Sequence, residues 1–277
     1  MSTTIPKGYA LITGSGSGIG YELAIGFSQQ GYSIIATDIH LDTLAKVERQ
    51  LKKNNASYQC HALDVTDPTQ WQSLKQALDE QGIIPDVLVN NAGIGYFAPL
   101  QETPPAIIDK TLDINVKGII YGYQTFIGAM QSDNKPRTLV NIASAASKTP
   151  MPNMAVYAAS KSAVEGLTDV IAMELAETKV HTMCVHPGII NTPIVQNRAM
   201  IGNAISDNQV LRLQRHYEDE GCHPKDVAND IIHAVAREQR VLYTGPSALL
   251  SGIASRLLPK RFMDRSLRKQ AAAVGYL

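Results

Sequence analysis

The chain has 277 residues, of which 44% are hydrophobic and 6% aromatic, and its 25 basic residues balance 25 acidic ones. This length accommodates either two small domains or one large domain with a sizeable core. Because the net charge is zero, no overall field attracts a polyanion, so we expect no nucleic-acid partner.

The sequence carries no signal for export or membrane insertion. Residues 1–7 contain no apolar run, and no stretch approaches the roughly 20 apolar residues of a membrane span. Cys60, Cys184 and Cys222 are odd in number, far apart and without CxxC spacing, which indicates reduced thiols. The seven histidines form no HxxxH pair, so we expect no metal site. These features predict a cytoplasmic protein that is neither secreted nor transmembrane.

Short apolar runs alternate along the chain with longer segments of helical pattern. The predicted strands are residues 9–13, 33–37, 58–63, 87–90, 138–142, 181–186 and 241–244. The predicted helices are residues 18–30, 41–54, 69–81, 105–131, 154–177 and 224–238. This alternation predicts the α/β class: a Rossmann-type, doubly wound parallel sheet of seven strands in a three-layer α/β/α arrangement.

A glycine-rich turn follows the first predicted strand and opens the first predicted helix. It spans residues 13–20, with glycines at 14, 16, 18 and 20. Glycines let the backbone approach a pyrophosphate, while the helix N-terminus offers unpaired N–H groups and partial positive charge. The turn therefore predicts dinucleotide binding, although a tight strand-to-helix connection has the same composition. The residues predicted to contact the cofactor here are Gly14, Ser17, Gly18, Ile19 and Gly20.

Asp38 closes the second predicted strand, eighteen residues after Gly20. A carboxylate at that place accepts hydrogen bonds from the adenosine ribose and repels a 2′-phosphate. The nearby residues Ser15, Ser17 and Ile39 include no base that would hold such a phosphate. NAD is therefore favoured over NADP, although Asp38 would also serve as a cap for the helix predicted from residue 41.

Further motifs appear in a fixed order along the chain. They are Asp64-Val65, Asn90-Asn91-Ala92-Gly93, Asn115, Ser144, Tyr157-x-x-x-Lys161 and Pro187-Gly188. Over about residues 7–245, these motifs and the glycine-rich turn make the chain similar to the short-chain dehydrogenase/reductase family, in its single-domain branch with a YxxxK active site. The three-residue gap between Tyr157 and Lys161 argues against the enoyl-reductase branch and favours alcohol–ketone chemistry.

The resemblance implies how several of these residues meet the cofactor. Asp64 and Val65 would flank the adenine. The run after the fourth strand would steady the central sheet and pass close to the cofactor; its residues are Asn91, Ala92 and Gly93. The run after the sixth strand would also bind the cofactor, with its last two residues against the nicotinamide carboxamide; its residues are Pro187, Gly188, Ile190 and Thr192.

Tyr157 and Lys161 lie one turn apart on the same face of a predicted helix. Tyrosine has an ordinary pKa of about 10, so it is a poor base at neutral pH without help. A lysine ammonium beside it, with the charge of an oxidised nicotinamide, would stabilise the phenolate and make Tyr157 the acid/base catalyst. Ser144, at a strand end, would donate a hydrogen bond to the substrate oxygen. The resemblance makes Asn115 the helix-kinking asparagine that holds a water between Lys161 and solvent.

Each of these residues also has an ordinary structural interpretation. Tyr157 and Lys161 would form an exposed helical pair, Ser144 would cap a strand end, and Asn115 would be a polar residue of a long helix. Lys161 would alternatively pair with Glu165, one turn further on. The order of all four residues favours the catalytic interpretation.

Residues 191–221 interrupt the alternation of strands and helices. Loops at the carboxyl ends of parallel strands line the ligand crevice, so this segment is predicted to form a substrate lid. Its apolar residues indicate a hydrophobic substrate of steroid, retinoid or lipid type; they are Ile194, Val195, Met200, Ile201, Ile205, Val210, Leu211 and Leu213. Further apolar walls are expected from Tyr96, Phe97, Met151 and Met154. The alternative is a helix pair that simply packs on the sheet.

Residues 246–277, here called the basic segment, carry six basic residues against the single acid Asp264. Its net charge is therefore plus five, and the rest of the chain carries minus five. Pro259 is predicted to divide it into two amphipathic helices. Such helices either make peripheral contact with an anionic membrane or pack over the substrate cleft or a subunit interface, and packing against protein is favoured.

We predict one catalytic domain over residues 1–245, including the substrate loop 191–221, followed by the basic segment as an extension. Its predicted function is NAD-dependent interconversion of a secondary alcohol and a ketone on a hydrophobic small molecule. The resemblance also implies a homodimer or homotetramer built through helices 105–131 and 154–177. The alternative is a non-catalytic protein that senses NAD or carries an apolar ligand, which would not need Ser144, Tyr157 and Lys161 together.

Overall fold

The computed structural model describes residues 7–191 and 197–277. Its centre is a parallel sheet of seven strands: β1 (Tyr9–Thr13), β2 (Ser33–Asp38), β3 (Tyr58–Ala62), β4 (Val87–Asn90), β5 (Arg137–Ile142), β6 (Val180–Pro187) and β7 (Val241–Thr244). The strands lie in the order β3-β2-β1-β4-β5-β6-β7, and every neighbouring pair is parallel. The predicted α/β class and doubly wound seven-stranded sheet are confirmed.

Helices flank both faces of this sheet. They are α1 (Gly18–Gln29), α2 (Ala45–Lys53), α3 (Pro68–Asp79), α4 (Pro105–Leu112), α5 (Gly118–Gln131), α6 (Ala155–Glu174), α7 (Asp207–Asp219), α8 (Pro224–Ala236), α9 (Ala248–Leu257) and α10 (Lys260–Val274). The cluster on one face includes residues of α1, α2 and α8, and the cluster on the other includes residues of α3, α5 and α6. None of the helices in the described ranges is long and apolar enough to cross a membrane.

The strand β1, which lies between β2 and β4, shows why the strands are continuous in apolar residues. Leu11 packs with Trp71 and Phe126 on one face, whereas Ile12 packs with Leu23 on the other. All five side chains are buried. Because helices cover both faces of a parallel sheet, neither set of alternate side chains meets water.

The chain runs outward from β1 to β3, returns to β4 on the other side of β1, and then continues outward to β7. The connections that leave the carboxyl ends of β1 and β4 therefore diverge to opposite sides. This reversal opens a crevice where ligands bind in sheets of this type. The crevice positions the candidate site.

Two predicted helices need correction. Residues 105–131 do not form one helix, because a π-helical turn over Asp113–Lys117 separates α4 from α5. Residues 41–54 begin as a 3₁₀ turn, Leu41–Leu44, before α2 starts. The basic segment does form two helices, α9 and α10, on either side of Pro259, as the sequence predicted.

Candidate active site

A cavity of about 620 Å³ lies at this crevice, along the carboxyl ends of the strands. Most of the residues predicted for the site line it: Gly14, Ser17, Gly18, Ile19, Asp38, Asp64, Val65, Asn91, Ala92, Gly93, Ser144, Tyr157, Lys161, Pro187, Gly188 and Ile190. Gly20 and Asn115 are not part of this wall. Thr192, like Ile194 and Val195, lies outside the described residues. The fold thus gathers one set of predicted residues from seven separate stretches of chain.

The glycine-rich turn is tightly folded. Gly14 and Gly18 have φ angles of +67° and +54°, a left-handed conformation that glycine adopts without steric cost. A Cβ atom on Gly20 would lie 2.1 Å from the carbonyl oxygen of Gly14, so no larger residue fits there. The turn delivers the chain directly into the first turn of α1.

The N-terminus of α1 is suited to an anion. Ser17 is the N-cap residue, but its side chain makes no capping hydrogen bond, and the first turn of α1 contains no acidic residue. The first N–H groups of this helix therefore have no side-chain acceptor. A pyrophosphate at this position would accept hydrogen bonds from these groups and meet the positive end of the helix dipole.

Asp38 is held beside the same turn. Its Oδ2 atom accepts a hydrogen bond from the backbone N–H of Gly16 at 2.9 Å, and its Oδ1 atom accepts one from Ile39 at 2.9 Å. The 3₁₀ turn at residue 41 is instead preceded by His40, without a side-chain cap. The alternative of Asp38 as a helix cap is therefore wrong, and its carboxylate faces the cavity.

The run after β4 is tied to β1. The Oγ1 atom of Thr13 accepts hydrogen bonds from the backbone N–H groups of Asn91 and Ala92, both at 3.0 Å. The amide of Asn91 donates to the backbone oxygen of Thr13 at 2.8 Å. A Cβ atom on Gly93 would lie 3.3 Å from Nζ of Lys161, so the backbone there passes close to that ammonium.

The turn after β3 orders Asp64 and Val65. The Oδ1 atom of Asp64 accepts hydrogen bonds from the N–H and hydroxyl of Thr66 at 2.9 and 2.7 Å. The indole of Trp71 donates to the carbonyl of Val65 at 3.0 Å. Both residues line the cavity on the side of Asp38, where the adenine of a dinucleotide would lie.

Tyr157 and Lys161 project from α6 into the cavity. The Nζ atom of Lys161 lies 5.8 Å from the centroid of the Tyr157 ring and donates a hydrogen bond to the carbonyl of Ile142 at 2.8 Å. Only 4% of Lys161 is exposed. Burial disfavours its ammonium and lowers the pKa of Lys161 to about 8.

The pKa of Tyr157 is raised, because burial disfavours the phenolate, and a hydrogen bond with Ser144 opposes this shift. Burial is thus the largest influence on the pKa of Tyr157, and support of the phenolate by Lys161 and an oxidised nicotinamide stays a prediction. Ser144 is itself the N-cap of the short turn Ala145–Ser147, where its Oγ accepts a hydrogen bond from Ala146 at 3.1 Å. Ser144 therefore both caps a turn and contacts Tyr157.

Lys161 does not pair with Glu165, so that alternative is wrong. The carboxylate of Glu165 forms its ion pair with Lys148. Since Tyr157 also lines the cavity, the pair is not the exposed helical pair that was the other structural interpretation.

Asn115 lies at the centre of the π-helical turn and is fully buried. Its Oδ1 atom accepts a hydrogen bond from the N–H of Ile94 at 2.8 Å. Its Nδ2 atom donates to the carbonyl of Ile94 and to Oγ of Ser160, each at 2.9 Å. Asn115 therefore joins the loop after β4 to α6, next to Lys161, rather than being a simple polar residue of one long helix.

The run after β6 closes the cavity on the side of the basic segment. The N–H of Gly188 donates to the carbonyl of Thr244 at 2.8 Å. A Cβ atom on Gly188 would lie 2.0 Å from the carbonyl oxygen of Pro246, so glycine is required for this close approach. Ile190 is buried and forms an isolated bridge with Cys222.

Most described members of the predicted apolar wall lie in or beside one cluster, against which Tyr157 packs, whereas Leu211 is exposed and Tyr96 does not line the cavity. The buried members of this cluster are Phe97, Met154, Ile201, Ile205, Val210, Leu213, Ala271 and Tyr276, and Tyr157 and Tyr217 pack against it. Two of these, Ala271 and Tyr276, belong to the basic segment. The basic segment thus packs over the cleft, which is one of the two kinds of packing against protein that the sequence favoured.

Sequence reasoning missed Tyr217 of α7 and Tyr276 of the basic segment. Their hydroxyl oxygens are 2.8 Å apart, and both residues line the cavity. The spacing of Val210, Leu213 and Tyr217 along one helical face was a signal that could have identified the first of them. No three His, Cys, Asp or Glu side chains in residues 7–191 and 197–277 are grouped to hold a metal ion.

Comparison with known proteins agrees with this geometry. A family model described as short chain dehydrogenase matches residues 8–200. Estradiol 17-beta-dehydrogenase 11 of Mus musculus is 30% identical over 275 residues, covering 96% of this chain and 86% of the relative. The probable oxidoreductase EphD of Mycobacterium tuberculosis (strain ATCC 25618 / H37Rv) is 28% identical over 265 residues. That match covers 92% of this chain, which spans 45% of the length of EphD.

A solved structure extends the similarity to three dimensions. A short chain dehydrogenase/reductase from Burkholderia phymatum, in complex with NAD, has a TM-score of 0.82 with this chain at 26% identity. The alignment covers 95% of this chain and 96% of that one.

Proposed function

Because the chain belongs to the short-chain dehydrogenase family and is an oxidoreductase of the nicotinamide-dependent type, we propose that it interconverts a secondary alcohol and a ketone on a hydrophobic small molecule. One observation supports this proposal most strongly: Ser144, Tyr157 and Lys161 line one cavity, and Tyr157 packs against its apolar cluster. The estradiol dehydrogenase relative supports a hydroxyl or keto substrate.

Tyr157 moves the proton in this proposal. During alcohol oxidation the substrate hydroxyl gives its proton to the Tyr157 oxygen, and during ketone reduction Tyr157 returns it to the substrate oxygen. A bound nicotinamide would accept the carbinol hydrogen as a hydride, that is, together with its electron pair. The hydroxyl of Ser144 holds the reacting oxygen beside Tyr157 through a hydrogen bond.

Lys161 supports the phenolate that forms when Tyr157 gives up its proton. Burial raises the pKa of Tyr157, so the phenolate needs a nearby positive charge. The Lys161 ammonium lies 5.8 Å from the ring centroid, fixed by its bond to the carbonyl of Ile142. Asn115 keeps Lys161 in place by tying α6 to the loop after β4. As the resemblance implies, it also borders a water path from Lys161 to solvent.

The proposed role of Tyr157 is tested by following absorbance of the reduced nicotinamide with a panel of hydrophobic secondary alcohols and ketones. We expect Tyr157→Phe to lower kcat by about 10²- to 10⁴-fold, the usual contribution of a positioned acid/base group. Tyr123→Phe is the control, because the Tyr123 hydroxyl contacts Glu174 at 3.4 Å and does not line the cavity. A Tyr157→Phe enzyme as active as the parent would refute the assignment. Cofactor binding without turnover of any panel member would instead favour an NAD sensor or an apolar-ligand carrier.

We propose NAD as the cofactor. The carboxylate of Asp38, held by Gly16, suits the ribose hydroxyls and repels a 2′-phosphate. We expect Asp38→Ala to reduce the ratio of kcat/KM for NAD over NADP at least tenfold, which corresponds to about 1.4 kcal/mol. Asp42→Ala, which removes an exposed acid two residues after His40, should leave the ratio unchanged. An unchanged ratio in Asp38→Ala would contradict the proposal.

A homodimer or homotetramer is proposed through the helices of the 105–131 and 154–177 regions. Exposed apolar side chains support such an interface: 48% of Val170 and 65% of Met173 on α6 are exposed, and Leu112 of α4 is exposed as well. Light scattering of the parent and of Met173→Glu tests this. A monomeric parent would overturn it, and we expect the variant to dissociate.

The basic segment is proposed to bring a cytoplasmic protein into peripheral contact with an anionic membrane. Although it packs over the cleft, one face stays exposed; its apolar residues are Leu249, Leu250, Ile253, Leu257, Leu258 and Phe262. The segment also carries a net charge of plus five. In a symmetric dimer through this face the like charges would meet each other, whereas anionic lipid complements them.

Sedimentation with vesicles tests the membrane contact. We expect binding to phosphatidylcholine vesicles that contain phosphatidylserine, weakened by salt and lost in Leu250→Ser/Phe262→Ser. Met173→Ser, which removes an exposed apolar side chain on α6, should bind as the parent does. Absence of binding, or equal binding to vesicles of phosphatidylcholine alone, would end the proposal.

A further inference from the structure

Tyr217 and Tyr276 form a pair of phenols with one hydrogen to spare. Their oxygens are 2.8 Å apart, so one O–H donates to the other oxygen. The hydrogen of the accepting phenol remains, and among the residues that the structure describes neither oxygen has another hydrogen-bond partner. Because both residues line the cavity, this hydrogen is available to a molecule bound there.

The buried side chains that the structure shows packed around this pair are apolar, so they do not accept its spare hydrogen. Tyr276 is 6% exposed and packs against Phe97, with the ring centroids 6.2 Å apart. Tyr217 packs against the same apolar cluster. A buried donor without an acceptor is unfavourable, so an oxygen atom of a ligand at this point would be bound selectively.

The pair stays protonated at neutral pH and therefore acts as a donor. Burial, opposed by the bond to Tyr276, raises the pKa of Tyr217 to about 12, and nearby Tyr157 adds to that rise. Burial likewise raises the pKa of Tyr276. Tyr157 and Tyr217 both pack against the apolar cluster that contains Tyr276, and the three phenols interact electrostatically, so the pair borders the same apolar part of the cavity as Tyr157.

We propose that Tyr217 and Tyr276 form a subsite for a second oxygen of the substrate. The inference rests on the proposed function and narrows its substrate class. The substrate is an apolar molecule that carries, apart from its reacting alcohol or ketone, a carbonyl, hydroxyl or ether oxygen that accepts the spare hydrogen. The backbone oxygen of Tyr276, bound by the amide of Asn153, keeps the ring of Tyr276 in place.

A matched series of alcohols tests the subsite. Straight-chain alkan-2-ols from octan-2-ol to tetradecan-2-ol are compared with the same alcohols that carry a methyl ketone at the other end. The series varies the separation of the two oxygens, so that one length matches the separation between the reacting oxygen and the tyrosine pair. At that length we expect the keto-alcohol to have a KM about tenfold lower than the plain alcohol, the effect of one added hydrogen bond of about 1.4 kcal/mol.

The decisive variant is Tyr217→Phe/Tyr276→Phe, because either phenol alone retains a donor. Removing both hydroxyls leaves no unpaired partner, so the fold should persist. In this variant we expect the keto-alcohol to lose its tenfold advantage in KM over the plain alcohol of the same length. Tyr123→Phe should retain the advantage, since its hydroxyl lies outside the cavity.

Three results would overturn the subsite. They are an absent preference for keto-alcohols at every length, a preference that survives in the double variant, and an equal loss for plain and keto-alcohols, which would indicate that the pair only fastens α10 to α7. A parent enzyme that oxidises none of the alcohols would instead refute the proposed function. Calorimetric binding of the keto-alcohols to parent and double variant then still tests the subsite.

Discussion

Replacement of Lys161 by methionine is expected to make the protein more stable while it destroys activity. Lys161 is 4% exposed, and burial lowers its pKa from an ordinary value of 10.5 to about 8. At 1.36 kcal/mol per pKa unit, holding its ammonium in the folded protein costs about 3 kcal/mol below pH 8. Methionine has a similar length and no charge to bury.

Part of the stability that is gained by removing the buried ammonium is lost again. The Nζ atom of Lys161 donates to the carbonyl of Ile142 at 2.8 Å, and methionine leaves that oxygen without its donor. Such a loss costs about 1 to 2 kcal/mol. The net stabilisation of Lys161→Met at pH 7 is therefore about 1 to 2 kcal/mol, which raises the melting temperature by roughly 2–8 °C for a chain of this size.

The pH dependence gives a sharper signature. Since the pKa of Lys161 is lower in the folded than in the unfolded chain, the folded protein releases this proton first as pH rises. The destabilisation is complete below pH 8 and disappears between about pH 8 and 10.5. Between pH 7 and 9.5 the parent should gain about 2 kcal/mol from this group that the variant does not.

Urea denaturation of both proteins at pH 7 and 9.5 measures the two free energies of unfolding. The difference between variant and parent should be positive at pH 7 and should fall by about 2 kcal/mol at pH 9.5. A variant less stable than the parent at pH 7, or a difference that is independent of pH, would show that Lys161 is not a strained buried charge. Loss of turnover in a better folded protein would separate catalysis from stability.

Two further predictions concern the turn and the pH profile. Gly20→Ala should abolish binding of NADH, measured by fluorescence titration, because its Cβ would lie 2.1 Å from the oxygen of Gly14. The control Gly166→Ala places a Cβ with no atom within 4 Å, and it should bind normally; equal binding by both variants would contradict the reasoning. Ketone reduction should slow as pH rises through about 8, because Lys161 loses the charge that supports the phenolate of Tyr157. A rate unchanged from pH 7 to 9.5 would refute this.

The sheet could be predicted from the sequence because its physical signal is local. Helices cover both faces of β1, so Leu11 and Ile12 are both buried and the strand is a short apolar run. The interruption at Asn115 gives no such local signal, and only the resemblance, which makes Asn115 a helix-kinking residue, indicated an irregularity there. The turn depends on contacts from Asn115 to Ile94 and Ser160, which are distant in sequence.

In the candidate site, too, contacts that are local in sequence could be predicted, whereas contacts between distant residues could not. Tyr157 and Lys161 could be paired from sequence because one helical turn joins them. The actual partner of Glu165 could not be predicted, because Lys148 reaches it from a different part of the chain. Tyr217 and Tyr276 are 59 residues apart, and only the packing of α10 on α7 brings their hydroxyls together. No pattern within either segment encodes that contact.

The cavity wall has two parts, which are built from different elements of the fold and therefore differ in how substitutions affect the fold. The part that holds Asp38, Asn91 and Ser144 is built from residues at or just after strand ends, so changes there disturb the sheet itself. The apolar part is built mainly from residues 201–213 and the basic segment, which contribute no strand, together with Phe97 and Met154. Substitutions in residues 201–213 and the basic segment can alter which molecules fit while the strands stay as they are. Single substitutions can therefore change the substrate preference of such an oxidoreductase while the protein still folds and remains active.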